Sequence, residues 1–160
     1  MGRLLELMDY IAANVAYRYC TAESDRDKEM NEINFIMVTA AIDSIEFYYP
    51  ITLETDCSLA GYVSYVGKSS LEVHIDVLQT IDGQERLACS ANFIMAARDK
   101  QTKKAYGLPP IQFANEKETF RIINELGHRR HEERRRENRK NLDVVPPTYE
   151  ESVAVHKLGQ

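Results

Sequence analysis

Residues 2–17 read GRLLELMDYIAANVAY, and this stretch decides the fold. At the period of an α-helix its apolar side chains share one broad stripe, formed by Leu4, Leu5, Met8, Ile11, Ala12 and Val15. A helix with so wide an apolar face needs a large surface to cover it. Asp9 falls at the rim of the stripe, where partial desolvation tunes the basicity of a carboxylate. Asp9 is therefore a candidate functional residue, although the same position also suits an acid that only faces water.

The composition is that of one folded domain with some additional chain. The 160 residues are 44% hydrophobic and carry a formal net charge of -5, which argues against general nucleic-acid binding. No apolar run is long enough to span a bilayer, and charged residues interrupt the N-terminal apolar stretch, so we expect neither a membrane span nor a signal peptide. The cysteines, Cys20, Cys57 and Cys89, lack ligand spacing, so we expect reduced thiols and no metal site.

The middle of the chain predicts four antiparallel β-strands. They cover Ile33–Phe47, Leu53–Val66, Leu71–Val77 and Arg86–Arg98. Asp82-Gly83 favours a tight hairpin turn between the last two. The strict alternation of the third strand places Glu72, His74 and Asp76 away from the core, so His74 is interpreted as a solvent-side residue rather than a catalytic one. Gly61 suggests a bulge or bend in the second strand.

The composition changes after Asp99. Residues 100–115 contain the sequence GLPP and predict a linker, and a new helix is predicted from Glu116. This helix runs into the Arg-rich segment 128–140, which suits either a solvated helix with Glu/Arg pairs or a surface for phosphates or an acidic partner. Residues 146–149 read PPTY, which matches the ligand pattern of WW domains and equally suits the start of a last helix.

The order of these elements predicts an α+β fold. A helix that is apolar on most faces, followed by four antiparallel strands, indicates the hotdog arrangement, in which a curved antiparallel sheet wraps a central helix, here with a C-terminal helical extension. Such a sheet leaves an edge strand exposed, and exposed edges are commonly paired. We therefore expect a second hotdog unit, supplied by homodimerisation or by a tandem domain.

Three segments make the chain resemble a known family. They are GRLLELMD at 2–9, GYVSYVGKSSLEV at 61–73 and ANFIMAARD at 91–99. The chain resembles acyl-coenzyme A thioesterases with hotdog domains, most nearly the N-terminal hotdog of the mitochondrial tandem-hotdog type. The resemblance implies a hotdog domain at 1–99, a linker at 100–115 and, at 116–160, a charged helical extension similar to an inter-hotdog connector. It also implies a mitochondrial location, with the cytoplasm as the alternative.

The resemblance also implies a site. The family hydrolyses acyl-CoA thioesters to free acid and coenzyme A, and Asp9 stands where its helix carboxylate acts as a base or as a nucleophile. Gly2 matches the glycine at the helix N-terminus, where free N–H groups polarise the thioester oxygen. The coenzyme-binding turn is matched by Gly67, Lys68, Ser69 and Ser70. Lys68 suits contact with a phosphate of coenzyme A, or simple exposure to solvent. No cofactor is implied beyond the coenzyme A thioester substrate.

The match to the family is incomplete. Family members carry a strand and a polar loop with a catalytic Asn before the helix, whereas this chain begins inside the helix motif, and no second hotdog follows before Gln160. We therefore expect one half of a two-hotdog active site. An inactive hotdog that serves as a dimerisation or interaction module is the alternative function. Hydration of an enoyl thioester is a further alternative, against which the lack of a His in the first helix argues.

Overall fold

The computed structural model describes residues 2–21, 32–52, 54–111 and 118–142. These residues form, in order, helix α1 (Gly2–Cys20), strands β1 (Phe35–Phe47), β2 (Cys57–Val66), β3 (Ser70–Ile81) and β4 (Gln84–Asp99), and helix α2 (Glu118–Leu142). The chain separates into two compact units, Met1–Gly127 and His128–Gln160. The predicted PPTY motif and the helix predicted to follow it lie outside the described residues. No helix in the described part of the chain is long and apolar enough to cross a membrane.

The four strands form one antiparallel sheet in the order β1-β4-β3-β2. Helix α1 packs against all four strands, so the sheet surrounds one side of the helix. The predicted α+β architecture, a helix covered by an antiparallel sheet, is confirmed. The hairpin predicted at Asp82-Gly83 joins β3 to β4, and both residues have positive φ, 53° and 75°, as a type I′ turn requires.

The core lies between α1 and the inner face of the sheet. Alternate residues of β3 and β4 meet one stripe of the helix, because every second strand residue faces the same side of a sheet and helix residues three or four apart share one face. The buried apolar set includes Met8, Ala12, Ala16, Leu71, Val73, Ile75, Val77, Ala91, Phe93, Met95 and Ala97. Met8 and Phe93 are fully buried, and removing a side chain of this size from water stabilises the fold by about 1.5–3 kcal/mol.

Strand β1 contains two bulges that the sequence did not predict. They lie between Thr39 and Ala41 and between Asp43 and Ile45, where the pairing with β4 shifts by one residue. Each bulge inserts one extra residue and interrupts the alternation, so that Thr39, Ile42 and Ile45, spaced three apart, all stand opposite inner-face residues of β4. Ile42 and Ile45 are nevertheless exposed, which leaves part of the inner face uncovered in a single chain.

The bulge in β2 lies between Val63 and Tyr65, and not at Gly61 as the sequence suggested. The glycine at position 61 is explained by a close contact instead. A Cβ atom at Gly61 would lie 3.2 Å from Val15 Cγ2 and 3.3 Å from Ile11 Cγ2. The glycine therefore lets β2 approach α1 closely.

Gly61→Val is expected to lower the free energy of unfolding by about 1–3 kcal/mol, because the added Cβ and its two methyl groups would overpack this contact. Gly107→Val is the matched control, since a Cβ at Gly107 meets no atom within 4 Å. Urea unfolding monitored by circular dichroism measures both variants. Equal midpoints for the two would contradict the close-packing account.

The outer face of the sheet is less exposed than the sequence suggested. Glu72 points away from the core as predicted, but it is fully buried, and its Oε1 accepts a hydrogen bond from Ser64 Oγ at 2.6 Å. A Cβ at Gly127 of α2 would lie 2.7 Å from Ser64 O, so the helix backbone passes directly over this part of β2. The face predicted for Glu72 is thus correct, but alternation identifies only the face of a strand and does not report what covers it.

Candidate active site

Asp9 lies on α1, and its side chain contacts strand β1. Its side chain is half-buried, and Thr39 Oγ1 donates a hydrogen bond to Asp9 Oδ1 at 2.5 Å. Thr39 Oγ1 also lies 3.6 Å from the sulfur of Met95, a buried core residue. The carboxylate therefore has a fixed position on the helix, with Oδ1 held by the Thr39 hydroxyl.

Thr39 is a site residue that the sequence reasoning missed. Its only sequence signal is a hydroxyl at an inner-face position of a strand whose inner neighbours are apolar. The bulge directly after Thr39 obscures that signal, because it interrupts the alternation from which inner-face positions are inferred.

The N-terminus of α1 offers an electropositive surface. Gly2 is the first residue of the helix, the first turn contains no acidic residue, and the first-turn N–H groups have no partner within the helix. Among the described residues, a Cβ at Gly2 would meet no atom within 4 Å, so they leave space beside this helix end. Asp9 lies about 10 Å further along the helix axis, at about 1.5 Å per residue.

A groove of about 600 Å³ opens beside this helix end. It is lined by Arg3, Leu4, Phe47, Tyr48, Tyr49, Pro50 and Ile51. Tyr48 is fixed, since its hydroxyl donates to Glu46 Oε2 at 2.7 Å and its backbone N–H donates to Ala88 O at 2.8 Å. The Arg86 guanidinium lies 5.8 Å from the centre of the Tyr49 ring. The groove therefore has a largely preformed aromatic wall.

The four predicted coenzyme-binding residues form one closed turn between β2 and β3. The Gly67 N–H donates to Ser70 O at 2.7 Å, and a Cβ at Gly67 would lie 3.2 Å from that oxygen, so the turn favours glycine there. The carbonyl of Ser69 accepts the Ala97 N–H, and that of Lys68 accepts the Leu108 N–H. The turn backbone is thus fixed to its neighbours while the Lys68 side chain is exposed.

A second loop with exposed lysines lies at the same end of the sheet. Asp99 Oδ1 accepts the N–H groups of Gln101 and Thr102 at 2.9 and 2.8 Å, and these bonds hold the pKa of Asp99 below its usual value. The loop presents Lys103 and Lys104 to solvent. It returns toward the sheet, where residue 105 bridges to residue 98.

The remaining candidates do not join this site. Across the described ranges, no group of three or more His, Cys, Asp or Glu side chains could hold a metal ion. His74 lies on the outer face, half-buried, with Nδ1 2.7 Å from Asn92 Oδ1 and Nε2 2.9 Å from Asp76 Oδ1. Burial raises the pKa of the Cys20 thiol to about 11, so this thiol is protonated at neutral pH and is no nucleophile.

The profile of the thioesterase superfamily matches residues 1–85 of the chain. The chain therefore belongs to the thioesterase superfamily, and the family resemblance inferred from its three segments is confirmed.

Relatives with curated names agree with this family. The chain is 36% identical over 109 residues to the mitochondrial acyl-coenzyme A thioesterase 4 of Humulus lupulus, an alignment that covers 66% of this chain and 20% of the relative. It is 29% identical over 159 residues to the mitochondrial acyl-coenzyme A thioesterase 9 of Bos taurus, covering 98% of this chain and 35% of the relative. The chain thus spans only a minor part of the length of these relatives.

Solved structures show the same fold. An acyl-CoA hydrolase from Staphylococcus aureus, in complex with butyryl coenzyme A, coenzyme A and coenzyme A disulfide, superposes with a TM-score of 0.70 at 22% identity, covering 99% of this chain and 82% of that chain. A hexameric acyl-CoA thioesterase superposes with a TM-score of 0.65 at 25% identity, covering 91% of this chain and 81% of that chain. The hotdog fold is therefore established for this chain.

Proposed function

We propose that this protein hydrolyses acyl-CoA thioesters to free fatty acid and coenzyme A. The observation that carries the proposal is the Asp9 carboxylate, half-buried on α1 and bonded to Thr39 Oγ1. The superfamily membership and the acyl-CoA thioesterases among the relatives support it.

Asp9 supplies the chemistry of the cleavage. Thr39 holds Oδ1, which leaves Oδ2 to accept a proton from water or to attack the thioester carbonyl directly. As a base, Asp9 takes a proton from the water whose oxygen bonds to the carbonyl carbon; the carbon–sulfur bond then breaks, and the leaving coenzyme A thiolate takes up that proton. As a nucleophile, Asp9 forms a mixed anhydride with the acyl group while the carbon–sulfur bond breaks, and the thiolate takes up a proton from solvent. Water then hydrolyses the anhydride, which releases the free acid and restores the carboxylate. A positioned base of this kind contributes about 10²–10⁴-fold to the rate.

The active site takes its two functional ends from two hotdog units. Gly2 and Asp9 of one chain are about 10 Å apart along α1, too far for a helix N–H and the carboxylate to act on one thioester group. We infer that the N–H groups at Gly2 of one unit polarise the thioester oxygen while Asp9 of another unit acts on its carbon. The uncovered inner-face residues of β1, Ile42 and Ile45, offer an apolar surface for that second unit, whether a second copy or a tandem domain.

The groove at the start of α1 suits the acyl chain. Its volume of about 600 Å³ and its aromatic wall of Phe47, Tyr48 and Tyr49 fit an apolar chain of modest length. The groove adjoins the helix end that would receive the thioester oxygen, so a chain bound there begins at the reacting group.

The turn Gly67–Ser70 suits the phosphate groups of coenzyme A. Lys68 is exposed on a fixed backbone, and the nearby loop adds the exposed Lys103 and Lys104. Several cations at one end of the sheet favour a polyanionic ligand, in a chain whose net charge is -5.

Lys68→Ala is expected to raise KM for acyl-CoA by about three- to tenfold at low salt, with kcat little changed, because an exposed charge contributes modestly and is screened by ions. Lys140→Ala, an exposed lysine of α2, is the matched control. An acyl-pantetheine substrate, which lacks the phosphates of the nucleotide end, should show no difference between the two variants. An unchanged KM for acyl-CoA would remove Lys68 from the binding site.

The direct test of the function is release of coenzyme A thiol from acyl-CoA substrates of increasing chain length, measured with a thiol reagent. The exposed Cys57 reacts with the reagent too, so the protein is pre-equilibrated with it before substrate is added. Release above the uncatalysed rate for at least one chain length is expected. No release across the series would contradict the proposal.

The remaining features of the proposal follow the family. No cofactor is required beyond the thioester substrate. Relatives named as mitochondrial support a mitochondrial location, which tagging of the protein and imaging in cells would test.

A further inference from the structure

The N–H of Met37 points to the free edge of β1. Met37 stands opposite Ala97, whose own N–H donates to Ser69 O and whose carbonyl accepts the Tyr106 N–H. Met37 and Ala97 are therefore a pair that exchanges no ladder hydrogen bonds, and the Met37 N–H is directed away from β4.

A side chain of α1 satisfies this edge group. The Met37 N–H donates to the hydroxyl oxygen of Tyr17 at 2.9 Å. The Tyr17 ring is stacked on Phe35 with centroids 5.7 Å apart, and Phe35 is stacked on Tyr106 with centroids 5.0 Å apart. The stacks hold the phenol ring in place, so the hydrogen bond joins the last turn of α1 to a defined point on β1.

Thr39 lies between this fixed point and a bulge. It follows Met37 by two residues on the same face of β1, and the bulge between Thr39 and Ala41 comes directly after it. A bulge disrupts the ladder locally, so the pairing beyond Thr39 constrains its hydroxyl less than a regular strand would. The Tyr17 bond, two residues before Thr39 on β1, then anchors β1 to the helix that carries Asp9.

We propose that Tyr17 is a positioning residue that sets the contact between Thr39 and Asp9, and so orients the Asp9 carboxylate without touching the substrate. The inference rests on the proposed function for its kinetic consequence. Two bonds then join the same pair of elements, Tyr17 to Met37 and Asp9 to Thr39, and the first fixes the register in which the second forms.

Tyr17→Phe tests this inference, because it removes the hydroxyl and keeps the stacked ring. We expect kcat for acyl-CoA hydrolysis to fall by about three- to tenfold while KM stays within about twofold, since one hydrogen bond is lost and the Asp9 orientation loosens. Tyr19→Phe is the matched control, because the Tyr19 hydroxyl also bonds to a backbone group, although it donates, to the Pro109 carbonyl at 3.0 Å, where the Tyr17 hydroxyl accepts. That variant should retain the wild-type kcat.

A double-mutant cycle separates positioning from general stabilisation. If Tyr17 acts through Thr39, then Tyr17→Phe should lower kcat no further in a Thr39→Val background. An additive loss in that background, or a wild-type kcat in Tyr17→Phe, would overturn the inference.

Hydrogen exchange tests the same anchor without using activity. Amide exchange across residues 37–42 should be faster in Tyr17→Phe than in Tyr19→Phe at equal melting temperatures. Unchanged exchange would overturn the inference even if the wild-type protein is active. Conversely, if exchange is faster in Tyr17→Phe but the wild-type protein releases no coenzyme A, the anchoring role of Tyr17 is supported and the proposed function is rejected.

Discussion

Asp9→Asn is expected to lower kcat for acyl-CoA hydrolysis by about a thousandfold. The amide has the shape of the carboxylate, and its oxygen still accepts the Thr39 hydroxyl, so the packing of α1 is retained. The amide cannot take a proton from water and is a poor nucleophile, so both mechanisms for Asp9 fail. The measurement is initial-rate thiol release under saturating substrate, with the melting temperature recorded in parallel.

Asp82→Asn is the matched control for that variant. It makes the same change of charge at the β3–β4 hairpin, where φ is 53° and asparagine is well tolerated. Wild-type kcat in Asp82→Asn beside a large loss in Asp9→Asn assigns the effect to the site. Equal rates in the two variants would remove Asp9 from the mechanism.

Thr39→Val is expected to lower kcat by about tenfold to a hundredfold. Valine keeps the size and the branching of threonine but leaves Asp9 Oδ1 without its donor at 2.5 Å. A hydrogen bond to a charged group is worth about 1.5–3 kcal/mol, which sets the range of the loss. Steady-state kinetics on short-chain and long-chain acyl-CoA measure it.

Thr39→Ser is the rescue variant, because it restores the hydroxyl on a smaller side chain. Most of the wild-type kcat should return in Thr39→Ser. If Thr39→Val and Thr39→Ser lose activity equally, then packing of the methyl group, and not the hydrogen bond to Asp9, explains the effect.

The sequence was sufficient for those parts of the fold that rest on periodicity. The helical stripe around Met8 and the alternation from Leu71 to Val77 each identify an element and its buried face, and the Asp82-Gly83 pair identifies a turn that needs two positive φ angles. Because these signals are local, they survive without any knowledge of neighbouring elements.

The parts that the sequence did not predict depend on contacts between distant segments. The contact of Thr39 with Asp9 joins residues 30 positions apart across a bulged strand, and the bulges in β1 leave no local signal. Glu72 lies on the outer face of the sheet and is nevertheless fully buried. Alternation predicts the face but not whether another segment covers it. The groove forms where the start of α1 meets the chain after Phe47, so neither segment shows it alone.

The coenzyme-binding turn shows the limit in another way. The resemblance selected Gly67, Lys68, Ser69 and Ser70, and the structure places all four in one closed turn whose glycine has a steric reason. Their assignment to coenzyme A stays a prediction, because a closed turn with an exposed lysine is also an ordinary connection between strands.

The alternative of an inactive hotdog module makes a different prediction for the same residues. A module that only pairs with other hotdogs has no use for a hydrogen-bonded carboxylate on α1, and Asp9→Asn would then change neither activity nor assembly. Size-exclusion chromatography of wild type and Asp9→Asn, beside the kinetic assay, separates the two functions.

The central claim is that the Asp9 carboxylate acts on the carbonyl carbon of a bound acyl-CoA. A crystal structure of the protein with a non-hydrolysable acyl-CoA thioether tests it most directly. We predict that a carboxylate oxygen of Asp9 lies within direct contact, or one water molecule, of the atom that replaces the carbonyl carbon, with the α1 N-terminus of a second unit facing the same group. The account would be contradicted if the ligand bound elsewhere, so that Asp9 kept its bond to Thr39 but lay far from the ligand.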